Sequence, residues 1–221
     1  MGHFREDFPT INAIFNKALR EGKIGYNQLR GLNKLERFHV ADKHREYLTP
    51  DEQEWFLAVE AATETERQVQ RAFGFSCMTG LRLGDIRRLR WGDIKPMGEG
   101  WAVSIIQHKT GSPVTVPLNE LALLSPRPEN DDDYVFHLPT MSGNVTKYVR
   151  GIRDKAGIMG KELTYHCSRH TAATLAISAG AELYSVSKIL GHRNLVSTQV
   201  YAKVNLEKKM EAVNLTKGVF E

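Results

Sequence analysis

Apolar residues recur every three or four positions along most of this chain, which is the spacing of amphipathic helices. Residues 9–22 show the pattern first, and Gly22 is expected to end that helix. Its apolar face carries Ile11, Ile14, Phe15 and Leu19. Thr49 and Glu52 have the spacing of a capping box, with Pro50 at the first helical position between them. Further helices are predicted at residues 50–61, 64–78, 84–90, 117–124, 142–156, 166–179, 183–190 and 205–213.

A shift to β-forming residues in the middle of the chain predicts a small sheet. Residues 101–106 (WAVSII) and 114–116 (VTV) are the strand candidates, and the segment HKTGSP between them supplies turn residues. A strand near residues 93–95 could complete a three-stranded antiparallel sheet. Helices outnumber strands and do not alternate with them, so the predicted fold class is α+β, mainly α-helical.

The periodicity divides the chain into four segments. Residues 1–22 hold a single amphipathic helix that cannot bury its apolar stripe alone, which indicates the end of a domain whose earlier part is missing. Residues 23–47 are polar and poorly periodic, and they are interpreted as a linker. Its basic residues could follow a phosphate backbone or simply be solvated. A compact domain follows at residues 48–204, and residues 205–221 form a partly amphipathic tail.

Composition narrows the classes of protein only slightly. The 221 residues are 41% hydrophobic and 25% charged, with a formal net charge of +4, which permits nucleic-acid binding without indicating it. Cys77 and Cys167 both fall in predicted helices, so a disulfide is not expected and a reducing compartment fits. Since the chain has neither an apolar run of 18 residues nor an N-terminal apolar signal region, no membrane partner is expected.

Two basic side chains stand at predicted turning points of the backbone. Arg82 begins a helix just after Thr79-Gly80, where free N–H groups and a guanidinium could hold a phosphate. Asp85 lies one turn later and could steer Arg82 or a neighbouring group; an ordinary surface pair of the two is the alternative. Lys109 falls at the tip of the predicted hairpin, where it could deliver a proton, although most such lysines are merely solvated.

A second group of polar side chains lies in two later helical segments. His166 and Arg169 are three residues apart and share a helix face, which pairs a proton-exchanging group with a permanent cation. His170 is also near that face. A zinc site built from His166, Cys167, His170 and His192 is disfavoured, because Cys167 points away from His166 and the chain lacks CxxC and HExxH motifs.

The last two candidates follow the helix predicted at residues 183–190. Gly191 suits the position just after a helix, so His192 is expected to project past the helix end. Ser197 or Thr198 could cap a short segment that leads to Tyr201. Taken alone, Tyr201 could be an ordinary half-buried tyrosine with a satisfied hydroxyl.

Four segments together resemble one known family. TGLRLGD (79–85), HKTG (108–111), HCSRHTAAT (166–174) and LGHRNLVSTQVYAKV (190–204) resemble the motifs of tyrosine recombinases of the phage and mobile-element integrase type. Each motif is weakly specific, whereas their order and spacing within residues 48–204, a region of about 155 residues, are highly specific. The resemblance implies a catalytic domain at residues 48–204 and identifies residues 1–22 as the last helix of a truncated N-terminal core-binding domain. It also makes residues 205–221 a candidate protomer-docking tail.

The resemblance implies a role for each landmark in DNA strand cleavage. Tyr201 corresponds to the nucleophile that forms a 3′-phosphotyrosyl link and frees a 5′-hydroxyl. Arg82 and Arg169 correspond to the pair that holds the non-bridging oxygens, and His192 to a further hydrogen-bond donor to that phosphate. All four would therefore act on one phosphorus atom.

Three further residues complete the implied site. Lys109 corresponds to the general acid that protonates the leaving 5′-oxygen, and His166 to the group that helps remove the tyrosine proton. Asp85 matches an acidic supporting position. Because fixed cations would do the work of a metal and the covalent link conserves bond energy, the enzyme is expected to need no metal, cofactor or ATP.

The expected partner is double-stranded DNA at specific recombination sites, bound by a tetramer of protomers, with accessory DNA-bending or directionality factors as further candidates. The expected location is the cytoplasm of a bacterium, at the nucleoid. Two other functions remain open. A type IB topoisomerase would use a similar site, and a non-catalytic DNA-binding relic would keep phosphate contacts but need no nucleophile.

Overall fold

The computed structural model describes residues 4–31, 45–118, 130–192 and 194–201, with side chains from residue 10 onward. Two compact units divide the chain, residues 1–44 and 45–221. In the parts described, no helix is both long enough and apolar enough to cross a membrane. The predicted helix at 205–213 lies outside the described residues.

The first unit is built around helix α1, Phe4–Arg20, which begins five residues before the predicted start. A 3-10 turn at Gln28–Arg30 follows, and Asn27 caps it by accepting from the Leu29 amide at 3.0 Å. The Asn27 amide also donates to side-chain oxygens on α1 at 3.0 Å. The side chains of Asn12, Asn16 and Asn27 are therefore hydrogen-bonded to one another, which holds the beginning of the predicted linker against the helix.

In the described part of the second unit, six helices precede a further helical turn at residues 196–201. They are α2 Pro50–Ala58, α3 Glu64–Thr79, α4 Leu83–Ile86, α5 Ser142–Lys155, α6 Cys167–Ser178 and α7 Leu183–Leu190. The capping box of α2 is confirmed, since the Thr49 hydroxyl accepts from the Glu52 amide and the Glu52 carboxylate accepts from the Thr49 amide. Helix α3 packs between α2, α5 and α6 and carries much of the core, with Val69, Ala72 and Phe73 fully buried.

A small sheet covers one side of this core. Its strands are β1 Ile94–Met97, β2 Gly100–Ile106 and β3 Pro113–Leu118, antiparallel and in the order β1-β2-β3. In the centre of the register, Val103 pairs with Ile94 on one side and Val116 on the other. The predicted class, a mainly helical α+β fold with a three-stranded antiparallel sheet, is confirmed.

Two predicted helices differ from the structure. The helix expected at 84–90 ends at Ile86, because the next residues pair with another segment: the Leu89 carbonyl accepts from the Val135 amide, and the Trp91 amide donates to Asp133. The helix expected at 117–124 does not begin there, since residues 117 and 118 belong to β3. Residues 119–124 lie outside the described part of the chain.

Candidate active site

Arg82 is the residue before α4 and lies two positions after Gly80, where the chain turns at the end of α3. Gly80 has φ 69°, a left-handed conformation that glycine tolerates best. The Arg82 guanidinium donates to the side-chain oxygen of Gln107 at 2.7 Å. Burial lowers the pKa of Arg82, but a guanidinium keeps its charge in proteins. The hydrogen-bond partner of this arginine is thus an amide that the sequence did not single out.

Asp85 contacts the hairpin that carries Lys109. One carboxylate oxygen of this buried side chain accepts from the His108 amide at 2.8 Å. Among the described residues, no donor reaches the other oxygen. Lys109 is the next residue, exposed in the turn between β2 and β3. Asp85 therefore holds the hairpin tip rather than serving as the hydrogen-bond partner of Arg82.

Arg169 lies in the first turn of α6 and is only 2% exposed. Its guanidinium donates to the Gly80 carbonyl at 2.7 Å and to the Leu190 carbonyl. Burial, together with the charge of Arg82, lowers the pKa of Arg169 to about 10, so the group remains a cation at neutral pH. Two backbone carbonyls from different helix ends thus orient one buried positive charge.

His166 precedes the first residue of α6 and lines a cleft of about 230 Å³ together with both arginines. The other residues around this cleft are Leu81, Leu83, Ser142, Thr146, Thr164, Tyr165 and Ser168. Burial lowers the pKa of His166, and the charges of Arg169, Arg82, Arg45 and Lys109 add to that effect. The ring of His166 meets that of His170 edge-on, with centroids 4.6 Å apart. In the described residues, no group of three or more His, Cys, Asp or Glu is arranged to hold a metal.

His192 follows the left-handed Gly191 that ends α7, as the sequence predicted. One ring nitrogen, Nδ1, lies 2.8 Å from the hydroxyl of buried Thr198. Burial, then the charges of Arg169 and Arg82, lower the pKa of His192 to about 4. The ring is therefore neutral at pH 7 and held in one orientation by its neighbour.

Tyr201 is buried, with 3% of its surface exposed, in a helical turn at residues 196–201. Its ring packs in a small apolar cluster with Ala173, Ile177, Val186 and Leu190. The hydroxyl lies 2.8 Å from Nδ1 of His170. His170, one helical turn beyond His166, is therefore the hydrogen-bond partner of the tyrosine.

Sequence reasoning did not predict the contacts of four neighbours of the predicted residues, although it noted that His170 lies near the face of His166 and that Thr198 could cap a short segment. Gln107 bonds Arg82, His170 bonds Tyr201 and Thr198 bonds His192, while the Arg45 guanidinium lies 5.7 Å from the Tyr201 ring centroid. Two signals were available. His170 is spaced to share a face with His166, and Gln107 is a polar residue at the end of an apolar strand.

The low pKa of His170 predicts that acid destabilises this domain. Burial, then the neighbouring charges, lower the pKa of His170 to about 3 from its ordinary 6.5. Below pH 6.5 the unfolded chain binds a proton that the folded chain excludes. The free energy of unfolding should therefore be highest above pH 6.5 and fall as the pH drops towards 3, by about 1.4 kcal/mol per pH unit for each proton.

Denaturant titrations at pH 7, 6 and 5 measure this effect above the range where carboxyl groups take up protons. His170→Asn, which leaves a polar group near the Tyr201 hydroxyl, should flatten the decline by up to one proton. His137→Asn, at an exposed position, is the control and should keep the wild-type slope. An unchanged slope in His170→Asn would mean that His170 is protonated in the folded chain.

A mainly helical domain in which two arginines and a histidine line one cleft, with a further histidine bonded to a buried tyrosine on the same helix side, is the architecture of a tyrosine recombinase catalytic domain. The chain belongs to the phage integrase family, whose model matches residues 46–208. The family expected from the four sequence motifs is therefore confirmed.

Curated relatives agree with this membership. The chain is 27% identical over 209 residues to tyrosine recombinase XerD of Listeria innocua serovar 6a, covering 88% of this chain and 69% of the relative. It is 26% identical over 220 residues to tyrosine recombinase XerC of Caldanaerobacter subterraneus subsp. tengcongensis, covering 93% and 60%. This chain thus spans between three fifths and seven tenths of these two proteins.

Solved structures share the fold at low identity. XerH recombinase bound to a palindromic difH substrate, in a post-cleavage complex, superposes with a TM-score of 0.63 at 21% identity, covering 83% of this chain and 55% of that one. A lambda integrase tetramer bound to a Holliday junction gives 0.62 at 22%, covering 87% and 57%. The Tn1549 transposon integrase with transposon right end DNA gives 0.63 at 20%, covering 95% and 78%.

Proposed function

We propose that this chain is the catalytic part of a site-specific DNA recombinase that integrates or excises a mobile element. The observation that carries the proposal is the convergence of Arg82, Arg169 and His166 on one cleft, with His192 and Tyr201 beside them. Two fixed cations match the non-bridging oxygens of a phosphodiester in charge, and a phenol can attack its phosphorus. Phosphate recognition and a nucleophile in one place favour an enzyme over a protein that only binds DNA.

In the proposed reaction, the Tyr201 oxygen attacks the scissile phosphorus. A new bond forms between phosphorus and the tyrosine oxygen, and the bond from phosphorus to the 5′-oxygen breaks. Lys109 gives a proton to that departing oxygen, while a histidine accepts the phenolic proton. His170 touches the hydroxyl in this structure, and His166 lies one ring contact further on. Attack by the freed 5′-hydroxyl of another strand reverses these steps and rejoins the DNA.

Arg82, Arg169 and His192 are proposed to stabilise the charge that develops on the phosphate oxygens. Such groups act best when they are oriented before the reaction, as the bonds to the Gly80 and Leu190 carbonyls orient Arg169. These fixed charges are proposed to make a divalent metal unnecessary. The covalent link retains the energy of the broken phosphodiester, which removes any need for ATP.

The proposed partner is double-stranded DNA carrying a specific recombination site. Assembly into a tetramer on that DNA is proposed by analogy with the lambda integrase tetramer on its Holliday junction. Residues 1–22 are proposed as the last helix of a core-binding domain, residues 23–47 as a linker and residues 205–221 as a docking tail. Accessory factors that bend DNA or set direction, and a place at the bacterial nucleoid, complete the proposal.

Covalent capture of DNA tests the proposed function. The chain is incubated, in EDTA and without ATP, with nicked duplexes tiled across the DNA that flanks its gene. The nick lets the short fragment that carries the freed 5′-hydroxyl diffuse away. Without that hydroxyl the strand cannot be rejoined, so cleavage becomes irreversible. We expect a denaturant-resistant adduct with some of these duplexes, and mass spectrometry should place the nucleotide on Tyr201.

Three other outcomes have different meanings. Specific binding without an adduct would favour a DNA-binding relic, and rapid relaxation of supercoils regardless of sequence would favour a type IB topoisomerase. An adduct that requires Mg²⁺ would contradict the metal-independent mechanism.

A further inference from the structure

Gln107 is fully buried at the end of β2, at the junction of three separate parts of the candidate site. Its side-chain oxygen accepts from Arg82 at 2.7 Å and from the Thr110 hydroxyl at 3.0 Å. Its side-chain nitrogen donates to the Leu190 carbonyl at 3.1 Å. Buried glutamines are uncommon, and this one has both ends of its amide hydrogen-bonded.

The chemistry of these partners determines the orientation of the amide. A guanidinium can only donate, so it must face the amide oxygen; a carbonyl can only accept, so it must face the nitrogen. If the amide were rotated so that its oxygen and nitrogen exchanged places, its N–H groups would face the N–H groups of Arg82. Its oxygen would then face the Leu190 carbonyl oxygen. The contacts of Gln107 therefore define a single arrangement.

The Leu190 carbonyl connects the two arginines through this amide. It accepts hydrogen bonds from the Gln107 amide and from the Arg169 guanidinium. The same guanidinium also donates to the Gly80 carbonyl. The hydrogen bonds run continuously from Arg82 through Gln107 and Leu190 to Arg169. A change in the position of either guanidinium must therefore disturb a carbonyl or an amide that the other also needs.

The surroundings of Gln107 hold its amide in place. A Cβ atom on Gly191 would lie 2.4 Å from the amide oxygen, so the residue before His192 packs directly against it. The backbone of Gln107 closes the hairpin, accepting from the Gly111 amide at 2.8 Å and donating to Ser112 at 2.9 Å. Lys109 lies within that hairpin.

We propose that Gln107 is a positioning residue that orients Arg82 and Arg169 relative to each other and sets the base of the hairpin carrying Lys109. The proposal rests on the proposed function, because positioning matters only if both guanidiniums grip one phosphate. A misplacement of about 1 Å in such a site can cost about 100-fold in rate. Gln107 itself touches no DNA in this mechanism.

The test compares Gln107→Met with Gln70→Met. Gln70 is a matched control, a buried glutamine whose nitrogen donates to the Phe56 and Val59 carbonyls at 2.8 Å, between α2 and α3. Both changes remove the polar atoms of a buried amide at similar volume. Both should lower the melting temperature, which makes lost stability common to the two variants.

Positioning is read directly from the side-chain N–H signals of the arginines by NMR. In Gln107→Met the signals of both Arg82 and Arg169 should shift, the second through the Leu190 carbonyl, and in Gln70→Met neither should. An Arg169 signal that stays in place would overturn the proposal. This measurement requires no DNA cleavage. It therefore tests whether Gln107 orients both arginines separately from the test of the proposed function.

Single-turnover cleavage tests the consequence. At saturating nicked duplex, Gln107→Met should form the covalent adduct about 100-fold more slowly than wild type, with DNA affinity changed only a few-fold, whereas Gln70→Met should match wild type. A duplex with sulfur at the 5′-bridging position needs no proton on its leaving group. The defect should persist on this substrate, and full recovery would show that Gln107 acts through the Lys109 hairpin alone.

Gln107→Glu provides a second variant in case the methionine variant does not fold. It keeps the size and the acceptor for Arg82 but loses the donor to Leu190. The Arg169 signal should shift and cleavage should slow at neutral pH. Wild-type behaviour in both measurements would overturn the proposal.

Discussion

Tyr201→Phe is expected to abolish covalent capture of DNA while leaving the domain folded. The change removes one oxygen from a ring that packs against Ala173, Ile177 and Leu190, so the apolar contacts remain. It also removes the hydrogen bond to His170 and leaves that ring nitrogen unpaired, which should cost about 1–3 kcal/mol of stability. Without the phenolic oxygen no phosphotyrosyl bond can form. Gel analysis of reactions with nicked duplexes should show no adduct.

Tyr165→Phe is the matched control for this loss. Tyr165 is also buried and lines the cleft, but the hydroxyl that the change removes lies 2.8 Å from both the Ser76 hydroxyl and the Ala72 carbonyl of α3. The control should be destabilised to a comparable extent but should still form the adduct. A wild-type amount of adduct in Tyr201→Phe would show that another side chain is the nucleophile, and the proposed mechanism would then be wrong.

The elements that the sequence predicted well are those specified by nearby residues. The patterns that predict helices at 142–156, 166–179 and 183–190 extend over only a few positions, and so do the turn residues of the hairpin. They can therefore be recognised without knowing which other segment packs against them. The predicted helix start at residue 117 was wrong, because residues 117 and 118 pair with a strand that is distant in sequence. Residue 117 pairs with Ala102 on β2, and because β3 is an edge strand its proline is tolerated there.

The candidate site likewise has features that the sequence predicts and contacts that only the folded structure reveals. The order of the motifs predicted Arg82, His166, Arg169 and His192. The structure lines one cleft with the first three and places His192 close enough to both arginines for their charges to lower its pKa. Their catalytic roles stay predictions. The contacts that orient them were not predictable, because they join residues far apart in sequence. Gln107 and Leu190 are 83 positions apart, and only the packing of α7 beside the sheet makes them neighbours.

The same packing explains how polar residues are accommodated in the core. Gln107 and Arg169 are buried, yet each donates to a backbone carbonyl, and Arg169 donates to two. Apolar replacements would bury more hydrophobic surface at these positions. Two buried groups tied to the same carbonyl instead give the cleft a single geometry, which is what a pre-oriented phosphate site requires.

Arg169→Lys is expected to slow DNA cleavage by about 10²–10³-fold while reducing DNA affinity far less. The reason is geometric. The planar guanidinium donates at once to the Gly80 and Leu190 carbonyls, and Arg169 also lines the cleft. An ammonium group is a single point of charge and cannot reproduce that fork. One or both carbonyls lose a donor, which should also lower stability by about 1–3 kcal/mol.

Single-turnover cleavage at saturating nicked duplex measures the first effect, and denaturant unfolding measures the second. Arg153→Lys is the control, because Arg153 is also largely buried and donates to the Lys161 carbonyl at 2.8 Å, at the far end of α5. It should lose some stability but cleave at the wild-type rate. If Arg169→Lys loses stability and cleaves as fast as this control, the buried guanidinium supports only the fold. The charge needed at the phosphorus must then come from Arg82 and its neighbours.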